Sequence, residues 1–137
     1  MQNAHFSIAY WCVLVAALLP LVCAGIAKGG KFGTRPEQGG YDNANPRAWL
    51  ASQTDWRARA NAAQANSFEA LPFFIGAVVI AHQLGADQVR IDALAGLFVV
   101  LRLVYIRLYL VDKASLRSLV WTAALAVNIG ILFVGYR

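Results

Sequence analysis

Charge is scarce in this sequence: Asp, Glu, Lys and Arg together make up 14% of the 137 residues, where an average soluble domain has about 25%. Hydrophobic residues make up 59%, against roughly 45 to 50% in soluble domains. They fall in long uncharged runs, which points to a membrane protein and excludes an ordinary soluble domain. Cysteine occurs twice, and Cys12 and Cys23 lie in one apolar segment about three helical turns apart. That spacing rules out a disulfide between them in a straight helix and leaves two buried structural thiols. There are only two histidines. His5 has no second ligand at helical spacing, so it reads as an interfacial residue and no metal site is expected. Glycine is present, but never as G-x-x-x-x-G-K-[ST] or G-x-G-x-x-G, so the phosphate-binding fingerprints are missing. The net charge is +5, yet the basic residues gather at the ends of apolar runs. They do not form a stripe interleaved with exposed aromatics, so nucleic acid is not an expected partner.

The apolar runs fit four membrane-spanning helices over about 6–27, 57–84, 92–110 and 115–136. Each is long enough, at ~1.5 Å per residue, to cross a hydrocarbon layer of about 30 Å or most of it. The start of the chain lacks the basic region of a signal peptide, so the first span is expected to be retained. Residues 28–56 hold Gly29-Gly30, Gly39-Gly40, Pro36 and Pro46 and read as one polar loop. The expected fold is all-α: a single integral membrane four-helix bundle over 1–137. The loop at 28–56 and the turn at Lys113 contain five of the twelve basic residues, more than the connections on the opposite side. The positive-inside rule therefore puts that side in the cytoplasm and both termini outside.

Polar side chains lead into the second span through Arg59, Asn66 and Glu69, which fall in one sector of a helix. An ionisable group within hydrocarbon costs roughly 2.5 to 3.5 kcal/mol on insertion scales, so Glu69 needs a partner. In the third span Arg102, Tyr105 and Tyr109 share a face at i, i+3 and i+7, while Arg107 points roughly 140° away. Helical rise puts Glu69 and Arg102 each roughly 15 Å from the cytoplasmic ends of their helices, which predicts a direct pair. Pro72 frees the Phe68 carbonyl and predicts a kink just past Glu69. Arg117 opens the fourth span at the same end. Together these residues outline a net cationic cavity suited to an anionic, thiol-bearing cytosolic molecule, because arginine binds carboxylates and stabilises thiolates. The same residues also read as an interhelical staple with a tyrosine belt.

The pattern Gln64-x-Asn66-x-x-Glu69-x-x-Pro72 resembles the second-helix signature of the membrane-associated proteins in eicosanoid and glutathione metabolism (the MAPEG family). That family includes microsomal glutathione transferases. The pattern Arg102-x-x-Tyr105-x-x-x-Tyr109 is similar to its third-helix motif, and Leu116-Arg117-Ser118 to the start of its fourth helix. Members often have a basic residue four positions before the matching Asn, where this chain has Ala62. The resemblance implies a homotrimer with glutathione, as co-substrate, bound between subunits and open to the cytosol. Gln64, Asn66, Glu69, Arg102, Tyr105 and Tyr109 would then contact the tripeptide, and Arg117 would stabilise its thiolate.

The expected function is a glutathione-dependent transferase or peroxidase in a bacterial inner membrane, attacking small lipophilic electrophiles with the thiolate. The alternative is an accessory subunit that keeps the fold without turnover. A transporter fits less well, because no polar stripe continues through the outer half of the spans.

Overall fold

The structure is a computed structural model that describes residues 6–136; His5 lies outside the described residues. Five α-helices follow one another: α1 Ile8–Lys28, α2 Pro46–Ala51, α3 Asp55–Gln83, α4 Gln88–Leu110 and α5 Ala114–Phe133. Four of them, α1, α3, α4 and α5, are long and apolar enough to cross a membrane. They pack as an up-down-up-down bundle. The start of α1 meets the end of α3 and the start of α4, as the bonds Ser7 Oγ to His82 Nε2 at 3.2 Å and Ala9 N–H to Asp92 Oδ1 at 2.9 Å show. At the opposite end, Arg57 donates to the Ala27 carbonyl at 2.7 Å and Arg59 to the Leu110 carbonyl at 3.1 Å. Both arginines thus satisfy carbonyls that a helix leaves free in its last turn. Arg59 therefore serves the end of α4 and does not extend the polar face of Asn66 and Glu69.

Local sequence sets the helix limits. Ser7 caps α1 by accepting from the Tyr10 N–H at 3.2 Å, and Asp87 caps α4 by accepting from the Arg90 N–H at 3.0 Å. Helix α3 ends in a Schellman turn at Gly85, with φ +66 and a bond from Ala86 N–H to the Ala81 carbonyl. Helix α4 ends in the same way, but with Asp112 at φ 58 in the left-handed position and Lys113 N–H bonded to the Leu108 carbonyl. This three-residue turn fixes where Arg117 stands relative to Tyr109. Pro20 and Pro72 both lie inside helices that continue past them.

The interior is built from small residues. Ala9, Ala16, Ala77, Ala81, Ala95 and Ala124 are buried, while Leu14, Leu18, Leu21, Leu103 and Leu119 face outward. In hydrocarbon there is no hydrophobic drive to bury leucine, and small side chains let helix backbones approach closely. Phe74 and Phe98 fill the centre, with rings stacked at 4.2 Å between α3 and α4. Cys12 and Cys23 are both buried and free, and Cys23 packs with Leu19, Ala63 and Tyr105. Gly135 closes the bundle at the α3–α4 turn, where an added Cβ would stand 2.8 Å from that of Leu84.

The stretch read as a polar loop has more order than expected. It contains a 3-10 turn, Pro36–Gln38, and the short helix α2. Pro46 occupies the first turn of α2, where its missing N–H costs nothing. Just before it, Asp42 accepts from Ala44 N–H, Asn45 N–H and Asn45 Nδ2. The Asn45 amide, then the Ala44 N–H, hold the Asp42 carboxyl below the usual carboxylate range. Leu50 of α2 is buried with Ala27 and Ala60, so the segment folds back over the ends of α1 and α3. Trp49 packs against that same cluster and edge-on to Tyr41 at 5.2 Å.

Candidate functional site

Among the described residues Arg102 is the most deeply buried cation, only 2% exposed within α4. Its Nη2 donates to Asn66 Oδ1 at 2.8 Å and, more weakly, to Ser67 Oγ at 3.4 Å. Asn66 in turn donates through Nδ2 to Glu69 Oε2 at 3.2 Å. The direct Glu69–Arg102 pair expected from helical depth is therefore replaced by a relay through Asn66. The reason lies in the start of α3. Counting from Asp55, Glu69 lies about 20 Å along the helix, and Asn66 sits nearly one turn closer to the end from which Arg102 is measured. Asn66 is thus the α3 side chain that the guanidinium meets. Ser67, whose hydroxyl donates to the Ala63 carbonyl at 2.8 Å, completes the cradle.

A stack of rings and cations leads from this cradle toward the end of the bundle. The Arg102 guanidinium lies 4.3 Å from the Tyr105 ring centroid. Tyr105 meets Tyr109 edge-on at 5.6 Å, and the Arg117 guanidinium lies 4.1 Å from the Tyr109 centroid. The i, i+3, i+7 spacing on α4 and the tight Asp112 turn bring these four groups into one row. Two arginines thus bracket two aromatic faces, each contact attractive through the ring quadrupole.

Two cavities share walls along this row. The wider, about 420 Å³, is lined by Asn66, Tyr105, Tyr109, Arg117, Ser118, Trp121 and Thr122. The inner one, about 150 Å³, is lined by Asn66, Glu69 and Arg102 together with Phe73, Phe98, Trp121, Leu125 and Asn128. Asn66 and Trp121 border both. Six of the seven site residues named from sequence are brought together here. The seventh, Gln64, is not: it lines neither cavity, its Oε1 is buried without a hydrogen-bond partner, and it sits about 200° around α3 from Asn66. Arg107 is exposed on the far side of α4.

Among the participants not singled out as site residues are Ser67, Trp121 and Asn128. The last two had a signal. Residues 117, 121, 124 and 128 form one helical stripe, and Asn128 is the polar residue deepest in it.

The charges in the row do not cancel. Arg102 and Arg117 face the cavities with Glu69 as the only carboxylate in their walls. Such a site suits a ligand with more negative than positive groups. Among the described residues, no three His, Cys, Asp or Glu side chains are grouped to hold a metal ion. The MAPEG family model matches residues 8–136. Comparisons with curated proteins and with solved structures give no match.

Proposed function

The chain belongs to the MAPEG family and is an integral membrane protein; on that premise we propose that it is a glutathione-dependent transferase or peroxidase acting on small lipophilic electrophiles. One observation carries this reading: two arginines and a single carboxylate line joined cavities, and Arg102 is bonded only to neutral side chains. Glutathione presents two carboxylates, one ammonium and a thiol. Glu69 would take the ammonium, Arg102 a carboxylate, and Arg117 the thiol as thiolate. The wider cavity, about 420 Å³, is within the roughly 300 to 1,000 Å³ typical of small-molecule sites.

In this mechanism the protein supplies position and charge. Arg117 stands over Tyr109 at the mouth of the wider cavity, where its charge favours the deprotonated thiol, the nucleophilic form. Asn66 and Tyr105 hold Arg102 in one orientation, so the tripeptide is gripped at a fixed depth. No side chain of the protein forms a covalent bond with substrate.

The assembly we propose is a homotrimer. Glu69 is exposed in the single subunit although it lies about 20 Å into a membrane-spanning helix. A bare carboxylate at that depth is costly, so a neighbouring copy over this face supports the reading. The proposed setting is a bacterial inner membrane, with the site open to the cytoplasm and both termini outside. In support, Lys28, Lys31, Arg57, Arg59, Lys113 and Arg117 all sit at the end of the bundle where α1 stops and α3 begins.

The test is thermal stability of the detergent-purified protein with glutathione, with an S-alkyl glutathione, and with no addition. A ligand at a hundred times its dissociation constant stabilises by roughly 2.7 kcal/mol. A saturable rise that Glu69→Gln and Arg102→Met each abolish supports the site; no rise at millimolar ligand removes it. In that case the accessory-subunit reading gains. It has one observation in its favour: Arg102 is hydrogen-bonded to side chains of α3, which ties α3 to α4.

A further inference from the structure

Three cations take no part in the mechanism above: Lys28, Lys31 and Arg57, gathered at the end of α1. Arg57 reaches across from α3 and donates to the Ala27 carbonyl at 2.7 Å. Its guanidinium lies 4.3 Å from the Trp56 ring centroid, and its Nη2 lies 3.9 Å from where a Cβ on Gly30 would stand. The Lys28 ammonium lies 4.5 Å from the Tyr41 centroid. Lys31 N–H donates to the Lys28 carbonyl at 3.0 Å, and the Lys31 carbonyl accepts from Tyr41 N–H at 3.0 Å, so the chain doubles back here in a fixed place. Arg57 thus meets a carbonyl and a ring, and Lys28 a ring. Among the described residues neither is hydrogen-bonded to a carboxylate, which leaves their charge to an anion from outside.

Depth then restricts that anion. Lys28 is the last residue of α1 and Trp56 the second of α3, both of them membrane-spanning helices. The cations therefore stand at headgroup level, where tryptophan is enriched. Phe32 and Trp56 are 63% and 41% exposed beside them. Leu14 and Leu21 precede Lys28 at seven-residue intervals, within about 40° of its direction around α1, and both are exposed. A strip of apolar side chains thus runs from the cations into the hydrocarbon layer. The patch is separate from the proposed glutathione site, since Arg57 points about 180° around α3 from Asn66.

We infer that this end of α1 binds one anionic phospholipid, its phosphodiester on Lys28, Lys31 and Arg57 and its chains along Leu21 and Leu14, with Phe32 and Trp56 at the level of its glycerol. A soluble anion could meet the same cations but would gain nothing from the apolar strip. A zwitterionic lipid has the same phosphate, but it brings a cation of its own that the three side chains repel. The inference rests on the membrane-spanning helices and not on the transferase reading.

The experiment is native mass spectrometry of the detergent-purified full chain with phosphatidylglycerol and with phosphatidylcholine of identical chains, as native protein, Lys28→Gln, Lys31→Gln and Arg107→Gln. Native protein is expected to prefer phosphatidylglycerol and to saturate at one such lipid per subunit. Each lysine variant should lower that preference about fivefold, the equivalent of the ~1 kcal/mol that one cation near a membrane surface contributes. Arg107 is exposed on the far side of α4 and reports on diffuse attraction, so Arg107→Gln should leave the preference unchanged. Equal affinity of native protein for the two lipids overturns the inference without any variant. A preference that survives both lysine variants overturns it too, as does a loss in Arg107→Gln as large as that in Lys28→Gln. Glutathione melting curves on the same samples separate a lipid from a soluble anion. A glutathione-induced rise that the lysine variants abolish assigns these cations to the tripeptide and overturns the inference, and a rise that they keep supports it. Lipid preference without a glutathione rise in any sample keeps this assignment and removes the transferase.

Discussion

The guanidinium of Arg102 donates to the amide oxygen of Asn66 at 2.8 Å across the α3–α4 boundary. This bond turns a buried cation into part of a relay that ends on Glu69, and it makes Asn66 answerable for both partners.

Asn66→Ala should therefore do more than its size suggests. It leaves Arg102 with only the longer Ser67 contact at 3.4 Å. Losing a hydrogen bond to a buried charge costs about 1.5 to 3 kcal/mol. Ser67→Ala, which removes the weaker contact, should cost less than about 1 kcal/mol. Thermal melts of the two variants check the order, and a Ser67 effect as large as that of Asn66 would refute the relay.

Arg117→Ala is expected to leave the bundle folded, because this side chain is partly exposed and rests on the face of Tyr109. On the proposed function it raises the pKa of the bound thiol. Less thiolate is then present at neutral pH, and the rate profile moves to higher pH. Ultraviolet titration of the bound thiolate measures this directly, with Arg117→Lys expected to retain part of the effect.

Ser7→Ala removes the acceptor for the Tyr10 N–H and the partner of His82. N-cap losses cost about 0.5 to 2 kcal/mol. Since this cap lies at the opposite end of the bundle from Arg117, the melting point should fall while any glutathione-induced rise keeps its size. A change in both would show that the two ends are coupled.

Asp42 supplies a pH dependence outside the membrane. Its carboxyl is held below the usual range by Asn45 and Ala44, so the charged form is favoured in the folded loop. The stabilisation it gives is present above the unfolded carboxyl's pKa and is lost as pH falls through the lowered, folded value. The protection of the Ala44 and Asn45 amides, taken as their exchange relative to the intrinsic rate at each pH, should fall in acid, and Asp42→Ala should show the low protection at all pH values.

Much of this was legible in the chain because hydrocarbon makes polar residues conspicuous. The four spans and the row of Arg102, Tyr105, Tyr109 and Arg117 follow from apolar run length and helical period. What could not be read were relations that depend on relative helix height. Glu69 and Arg102 matched as charges, but a difference of nearly one turn hands the contact to Asn66. Gln64 shares a sequence motif with Asn66, yet the helical period turns it away. Helix α2 was hidden because its six residues are too few for any periodicity to show. Arg59 looked like site chemistry and is instead a cap on α4, a role visible only once Leu110 is placed beside it.

The burial of both cysteines has a consequence for redox chemistry. Cys12 and Cys23 are 9% and 0% exposed, on α1, the one long helix that contributes no wall to either of the two large cavities. A protein whose site is read as holding a foreign thiol thus keeps its own thiols buried in the helix packing. Thiol–disulfide exchange needs sulfur to approach sulfur, and here α1 would have to leave the bundle first. Exchange at either thiol, with a bound thiol or between copies, is therefore expected to be slow while the helices stay packed.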